Sequence, residues 1–196
     1  KKIICLILIG IINVNCRAQT IINITDNDGT KKNNVYYKDI DNLLDPFIGT
    51  YELSSGNKIF KIILQKRIHA HVTTFSFEDL IVGEYRYVDA NGIEKINTLL
   101  EINANYTNEI QHRIDGNDIL TNNNEPICNN CTTGELRLRL GFTDNYPGYI
   151  IIRRITVNGQ DAISVFKSEH GENGDENGNY TPAKVPKGTY ILIKQP

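Results

Sequence analysis

The chain has 196 residues, of which 40% are hydrophobic and 22% charged, and it contains neither Trp nor Met. This length and composition suffice for one domain with a sizeable core and exclude a disordered chain. The formal charge is −2. The chain therefore has no excess of basic residues for binding nucleic acid or anionic lipid, and we expect no nucleic acid partner.

Residues 1–18 are predicted to be a cleaved secretory signal. Lys1-Lys2 is a basic start, and Ile3–Ile12 is an apolar run too short to span a bilayer as a helix. The small residues that follow place the cleavage after Ala18, and lipid attachment to Cys16 is the alternative. Cleavage removes three of the 21 basic residues and none of the 23 acidic ones, so the formal charge becomes −5. We expect a secreted or periplasmic protein that is not an integral membrane protein.

Residues 19–36 are predicted to form a polar leader ahead of a single domain at 37–196. Within Tyr37–Leu44, three apolar residues have the spacing of one helical face, which predicts one or two turns of helix. Pro46 ends this helix, because proline removes a backbone donor and clashes with the preceding turn.

After Gly49 the apolar residues recur with a period of two, as in half-buried antiparallel strands. Leu136–Phe142 is the clearest case, because its Leu and Phe residues alternate with Arg137 and Arg139. The predicted strands of this kind are Lys58–Lys66, Leu80–Val88, Leu136–Phe142, Tyr149–Val157, Ile163–Lys167 and Thr189–Lys194.

Short turn signals separate these strands and supply the positive φ that tight hairpins need. They are Ser55-Gly56, Asn91-Gly92, Asp115-Gly116 and Asn158-Gly159. A meander of hairpins protects its edges best by closing on itself. We therefore predict an all-β fold, an up-and-down antiparallel β-barrel of about eight to ten strands with a short N-terminal helix. A two-sheet β-sandwich is the alternative, and the long insertion 168–188 is the predicted rim of the barrel.

Cys128 and Cys131 are the two cysteines that remain after cleavage, and in an oxidising compartment they are predicted to form a disulfide. Free thiols, half a zinc site and a redox pair are the alternatives, although there is no second Cys-x-x-Cys. His69 and His71 have the spacing of a metal pair on a strand. Two polar residues at a strand end explain them as well, and no metal site is predicted.

The barrel interior is the predicted ligand site. Arg153 and Arg154 interrupt an apolar strand, so alternation directs one of them inward, where it would need a carboxylate, a carbonyl or an anionic ligand. In a barrel of about eight strands, aromatic side chains can instead fill the core. The candidate lining residues are Tyr51, Phe60, Tyr85, Tyr87, Phe142, Tyr149 and Arg153.

Gly49-Thr50-Tyr51, after the predicted helix, resembles the start of lipocalin-like barrels, with Tyr in place of the usual Trp. The resemblance implies that Tyr51 packs across the barrel floor under a basic residue from a late strand. Arg153, Arg154 and Lys194 are the candidates for that residue.

Several segments together resemble one family over most of the mature chain. They are the signal ending in Ala18-Gln19, Leu80-Ile-Val-Gly-Glu-Tyr85, the Cys-x-x-Cys before an alternating strand, Val157-Asn158-Gly159-Gln160 and Ile193-Lys194-Gln195. They look like a family of small secreted proteins of Bacteroidota known as domain of unknown function 6705. The resemblance implies export and an all-β fold, and it implies no activity, ligand or catalytic residue.

The sequence contains no Gly-x-Ser-x-Gly, His-Glu-x-x-His or P-loop motif, so we expect no enzymatic activity and no cofactor. We expect a non-enzymatic binding module for a small apolar or amphiphilic ligand. The alternative is an envelope or extracellular protein with a filled core that acts through a protein partner.

Overall fold

The structure is a computed structural model that describes residues 18–30, 32–72, 76–145, 147–168 and 182–196. The predicted signal up to residue 17 and most of the insertion 168–188 lie outside this part of the chain. The described residues form eleven strands. These are β1 (Thr20–Asn23), β2 (Val35–Lys38), β3 (Gly49–Ser55), β4 (Lys58–His71), β5 (Ser76–Val88), β6 (Glu94–Asn97), β7 (Ile114–Leu120), β8 (Arg137–Thr143), β9 (Pro147–Val157), β10 (Gln160–Lys167) and β11 (Gly188–Lys194).

Eight of the strands close into a ring whose order is β3, β4, β5, β7, β8, β9, β10 and β11. Each strand is antiparallel to the next, and β11 returns to β3 by pairing Lys194 with Tyr51. The ring closes between β5 and β7 through only three residue pairs, from Ile81–Gly116 to Gly83–Ile114. The all-β prediction is confirmed, and the two-sheet sandwich is wrong because all eleven strands belong to one sheet.

The predicted even antiparallel barrel is wrong, because the sheet is mixed and β5 carries more than two neighbours. One edge of β5 pairs with β4, and its other edge pairs in turn with β2, β7 and β6. The pairings β1–β2 and β2–β5 are parallel. A strand of 13 residues is long enough to serve three short partners in succession.

The predicted N-terminal helix at Tyr37–Leu44 is also wrong. Its first residues belong to β2, and Ile40, which should lie on the buried helical face, is 53% exposed. Asp39 explains the difference, because its carboxylate accepts hydrogen bonds from the backbone N–H groups of Leu43 and Leu44 and stabilises a turn instead. The helical segments of the described chain are short 3₁₀ helices at Ile24–Asp26, Asp45–Phe47, Leu99–Asn103 and Glu109–Gln111. None of these described helices is long and apolar enough to cross a membrane.

Aromatic side chains pack the interior of the ring. The rings of Tyr85 and Phe142 stack with centroids 4.6 Å apart, and Phe60 meets Tyr190 edge-on at 5.0 Å. Leu, Ile and Val residues from β4, β8, β9, β10 and β11 complete the same buried cluster. Such packing is expected where eight strands leave an interior just wide enough for side chains.

Tyr51 belongs to this cluster and is 2% exposed. Its hydroxyl donates to the carbonyl of Phe47 at 3.1 Å, and the Lys194 ammonium lies 5.9 Å from the centre of its ring. Burial raises the pKa of Tyr51 to about 12. The hydroxyl therefore stays protonated and available as a donor at neutral pH.

Asp115 lies at the ring closure on β7, beside Gly141 of β8, and burial raises the pKa of its carboxyl from 3.8 to about 6. A folded-state pKa above the unfolded value means that the folded protein binds the proton more tightly. We therefore expect Asp115 to lower the free energy of unfolding by about 2 kcal/mol as pH rises from about 4 to about 6. Denaturant titrations across that range measure this slope.

Asp115→Asn should remove that slope and raise stability near pH 7. Asp118→Asn is the matched control, because Asp118 is on the same strand and pairs with Arg139 at the surface. It should leave the slope unchanged. Equal slopes in the wild type and Asp115→Asn would contradict the assignment.

Candidate ligand-binding pocket

The segment 121–136 covers the outer face of the sheet, and Arg137 fastens it there. On β8 the side chains of Leu138 and Leu140 enter the core, so alternation turns Arg137 outward beneath this segment. Its guanidinium donates to three backbone carbonyls, those of Pro126 at 2.7 Å, Thr121 at 2.6 Å and Asn124 at 2.8 Å. Arg137 is 4% exposed as a result.

The predicted disulfide between Cys128 and Cys131 is confirmed, with an S–S distance of 2.02 Å. It closes a small loop within the covering segment. The backbone N–H of Cys128 donates to the carbonyl of Asn122, which joins this loop to the residues held by Arg137. The disulfide therefore shapes one wall of the space above the sheet.

Arg153 lies directly across from Arg137, on β9. Its Nε and Nη2 donate to the carboxylate of Glu135, and Nη2 also donates to the carbonyl of Asn130 at 2.9 Å. The hydrogen bond from the Arg153 side chain is the main cause of the lowered pKa of Glu135. Hydrogen bonds from Thr132 lower it further. Ile150 and Ile152 fill the interior from the same strand, so Arg153 is on the outer face and half-buried.

These elements enclose a pocket of about 370 Å³ on the outside of the ring. This volume is near the lower end of the range for small-molecule sites, about 300–1,000 Å³. Two rows of neighbouring residues on β8–β11 form its floor. One row is cationic and polar, with Arg137, Arg153 and Ser164. The other is mostly apolar, with Ile151, Phe166 and Thr189.

Two apolar side chains at the pocket remain accessible to solvent. Ile127, from the covering segment, is 59% exposed, and Phe166, from β10, is 39% exposed. Exposure of an apolar side chain to water is unfavourable in free energy. Contact with the apolar part of a ligand would remove that surface from water. The pocket thus combines accessible apolar surface with guanidinium groups.

The structure places the sequence-predicted site residues in three different surroundings. Five aromatic candidates lie in the packed interior, each 4% exposed or less: Tyr51, Phe60, Tyr85, Tyr87 and Phe142. Burial raises the pKa of Tyr85, whose hydroxyl donates to the carbonyl of Thr143. Tyr149 is half-buried on β9, outside that cluster. Arg153 and Cys128, by contrast, meet at the outer pocket.

His69 and His71 lie at the end of β4, beside an aromatic ring. His69 stacks on Phe77 with centroids 4.2 Å apart, and His71 meets the same ring edge-on at 5.5 Å. His69 has a φ of +53° next to the irregularity in the β4–β5 pairing, so its backbone N–H reaches the carboxylate of Asp79. Within the described residues, no three His, Cys, Asp or Glu side chains are grouped as a metal site would require.

Sequence reasoning missed two buried polar groups. Arg137 appeared only as an outward residue of an alternating strand, and its position six residues after Cys131 was the available signal. The second group is His112, whose Nδ1 lies 2.8 Å from a carboxylate oxygen of Glu84, with both side chains fully buried. Their contact joins positions 28 residues apart, which no local pattern reveals.

Fold and pocket together define the class of this protein: an all-β closed ring with a packed aromatic core and a cationic, partly apolar pocket on its outer face. The chain belongs to a family of unknown function, DUF6705, whose model matches residues 1–195. Neither a curated protein nor a solved structure matches the chain.

Proposed function

We propose that the protein is a secreted, non-enzymatic binding module for a small amphiphilic ligand, and that the ligand occupies the outer pocket rather than the ring interior. The observation that carries the proposal is the pocket floor, where a guanidinium row runs beside an apolar row. An amphiphile presents the same division between a polar head and an apolar body. The predicted signal and the disulfide agree with export, because disulfides persist in oxidising compartments.

The packing of the interior supports placing the ligand outside. Phe60 meets three tyrosine rings edge-on, at centroid distances between 5.0 and 6.3 Å. Opening such a core for a ligand would break close contacts and expose apolar surface, which costs several kcal/mol. The outer pocket needs no such rearrangement.

Filling the pocket tests the proposal. Ser164 lies on the pocket floor and is half-buried, so Ser164→Tyr places a ring where the ligand would lie. We expect isothermal titration calorimetry to show binding of decanoate to the wild type and at least about tenfold weaker binding to the variant. Ser54→Tyr, at an exposed position of β3, is the matched control and should bind as the wild type does.

Equal decanoate binding by Ser164→Tyr and the wild type would place the ligand elsewhere and contradict the proposal. Absence of amphiphile binding to the wild type would favour the alternative of a protein-interaction module. Two observations favour that alternative. The interior of the ring is filled with side chains, and Phe166 and Ile191 are exposed on the neighbouring strands β10 and β11.

A further inference from the structure

We infer that the outer pocket selects ligands with a single negative charge on the head group, and that the Glu135 carboxylate is an internal competitor for that head group. The inference rests on the proposed function and adds the chemical class of the ligand. It is carried by the charges around the pocket and by their burial.

Arg137 supplies a buried positive charge that no carboxylate of the described residues neutralises. Its three acceptors are neutral backbone carbonyls, and no described carboxylate lies within 4.0 Å of its nitrogens. Its Nε is buried and finds no acceptor in the part of the chain that the structure describes. Charged groups buried this deeply are ordinarily paired with an opposite charge, because leaving water costs them several kcal/mol. The missing partner of Arg137 is therefore an anion from outside the described chain.

Arg153 already has one anionic partner. Glu135 accepts two hydrogen bonds from its guanidinium and further ones from the N–H and hydroxyl of Thr132. Since these contacts lower the pKa of Glu135, the carboxylate is ionised at neutral pH. Of the two neighbouring guanidinium groups only that of Arg153 has a carboxylate partner among the described residues, so the charge of Arg137 is left in excess. A monoanion is the ligand that balances this site.

The rest of the pocket fixes the orientation of such a ligand. Ser164 is the cross-strand neighbour of Arg153, on the side away from Arg137, and its hydroxyl can donate to an anionic oxygen. Ile151 and Phe166 form the next row, so the ligand's apolar body extends across them. A fatty-acid-like carboxylate satisfies both rows, whereas an alcohol of equal length satisfies only the apolar one.

Glu135 holds Arg153 in the way that the head group of the ligand would. Bidentate contacts between a carboxylate and an arginine are strong and directional, so two carboxylates compete for one guanidinium. Removing the charge of Glu135 should therefore strengthen the binding of an anionic ligand. A merely structural Glu135 would give the opposite result, because its loss would loosen the covering segment and weaken all binding.

The test compares three probes with the same apolar chain: decanoate and decyltrimethylammonium below their micelle-forming concentrations, and 1-decanol below its solubility limit. Calorimetry with the wild-type protein at low salt should show decanoate binding about tenfold or more tightly than 1-decanol, and the cationic probe more weakly than either. Added salt should weaken decanoate binding and leave 1-decanol binding unchanged.

Two variants and a control sharpen the test. Glu135→Gln should strengthen decanoate binding about threefold or more, and Arg153→Gln should weaken it about tenfold, while 1-decanol binding changes little in both. Arg154→Gln is the matched control, because Arg154 is the next residue on β9, faces away from the pocket and should leave both probes unaffected.

Each outcome separates this inference from the proposed function. Equal affinity for decanoate and 1-decanol, with both blocked by Ser164→Tyr, overturns anion selection and leaves the proposed pocket intact. Weaker decanoate binding by Glu135→Gln overturns the role of Glu135 as a competitor. Failure of all three probes to bind overturns the proposed function, and the inference with it.

Discussion

Replacing Arg137 with Met is expected to lower the free energy of unfolding by about 3 kcal/mol. The carbonyls of Thr121, Asn124 and Pro126 lose their donors together, because one guanidinium serves all three. The unbranched Met side chain retains much of the apolar packing, so the loss reports mainly on the hydrogen bonds. Urea denaturation of the wild type and the variant measures the difference.

Arg139→Met is the matched control for this prediction. Arg139 is on the same strand and on the same face, but its side chain is 47% exposed and pairs with Asp118 at the surface. Such exposed pairs contribute about 0–1 kcal/mol, so this variant should remain close to the wild type. Equal losses in the two variants would show that Arg137 does not anchor the covering segment. Arg137→Met should also lose decanoate binding, since the wall of the pocket is released.

Replacing Gly83 with Ala is expected to destabilise the protein by about 3 kcal/mol, at the upper end of the usual cost of overpacking. A Cβ at this position would lie 2.7 Å from the carbonyl oxygen of Ile63 and 2.7 Å from a methyl carbon of Leu64. Neither β4 nor β7 can move away freely, because Gly83 lies where both flank β5. Thermal denaturation followed by circular dichroism should show a clearly lower midpoint.

Gly134→Ala provides the contrast. Gly134 has a φ of +79° and no atom within 4 Å of the added Cβ, so the only cost is about 1 kcal/mol of backbone strain. If Gly83→Ala were no more destabilising than Gly134→Ala, the close approach of β4 and β7 to β5 would be wrong. The β5–β7 closure has only three residue pairs and the β3–β11 junction only two, so these two junctions have the fewest pairs of the ring.

Local patterns predicted the strands well where one face of the strand is buried. The alternation in Leu136–Phe142 anticipated β8, because its Leu and Phe side chains enter the core while its Arg side chains leave it. The Asn158-Gly159 signal likewise anticipated the hairpin between β9 and β10, where both residues have positive φ. Period and turn chemistry are local properties, so they can be observed in a single sequence.

The errors arose where a distant partner decides the structure. Tyr37–Leu44 has helical spacing, but Tyr36 donates its hydroxyl to Asp79 at 2.5 Å and β2 pairs with β5 far along the chain. Those contacts outweigh a spacing that covers barely one helical turn. Parallel pairing of β2 with β5 leaves no local signal in the sequence. Neither the mixed sheet nor the three partner strands along one edge of β5 could therefore be anticipated.

The pocket was predictable only in part, for the same reason. Arg153 stood out as a charge in an apolar strand, but alternation alone did not decide between the two arginines and the two faces of β9. Covering the outer face requires the segment 121–136 to fold back onto Arg137, and those hydrogen bonds join residues up to 16 positions apart. The sequence therefore indicated Arg153 and the Cys-x-x-Cys segment as candidates, without indicating that they meet outside the ring.

The location of the ligand is the central claim, and NMR titration of the isotope-labelled protein with decanoate tests it most directly. We predict that the shifted amide and methyl signals cluster on the outer face, at Asn129, Asn130, Ile151 and Phe166, while the methyl groups of Leu138, Leu140 and Ile152 inside the ring stay in place. Shifts concentrated on those interior methyl groups, with the outer signals unchanged, would contradict the account and place the ligand in the core.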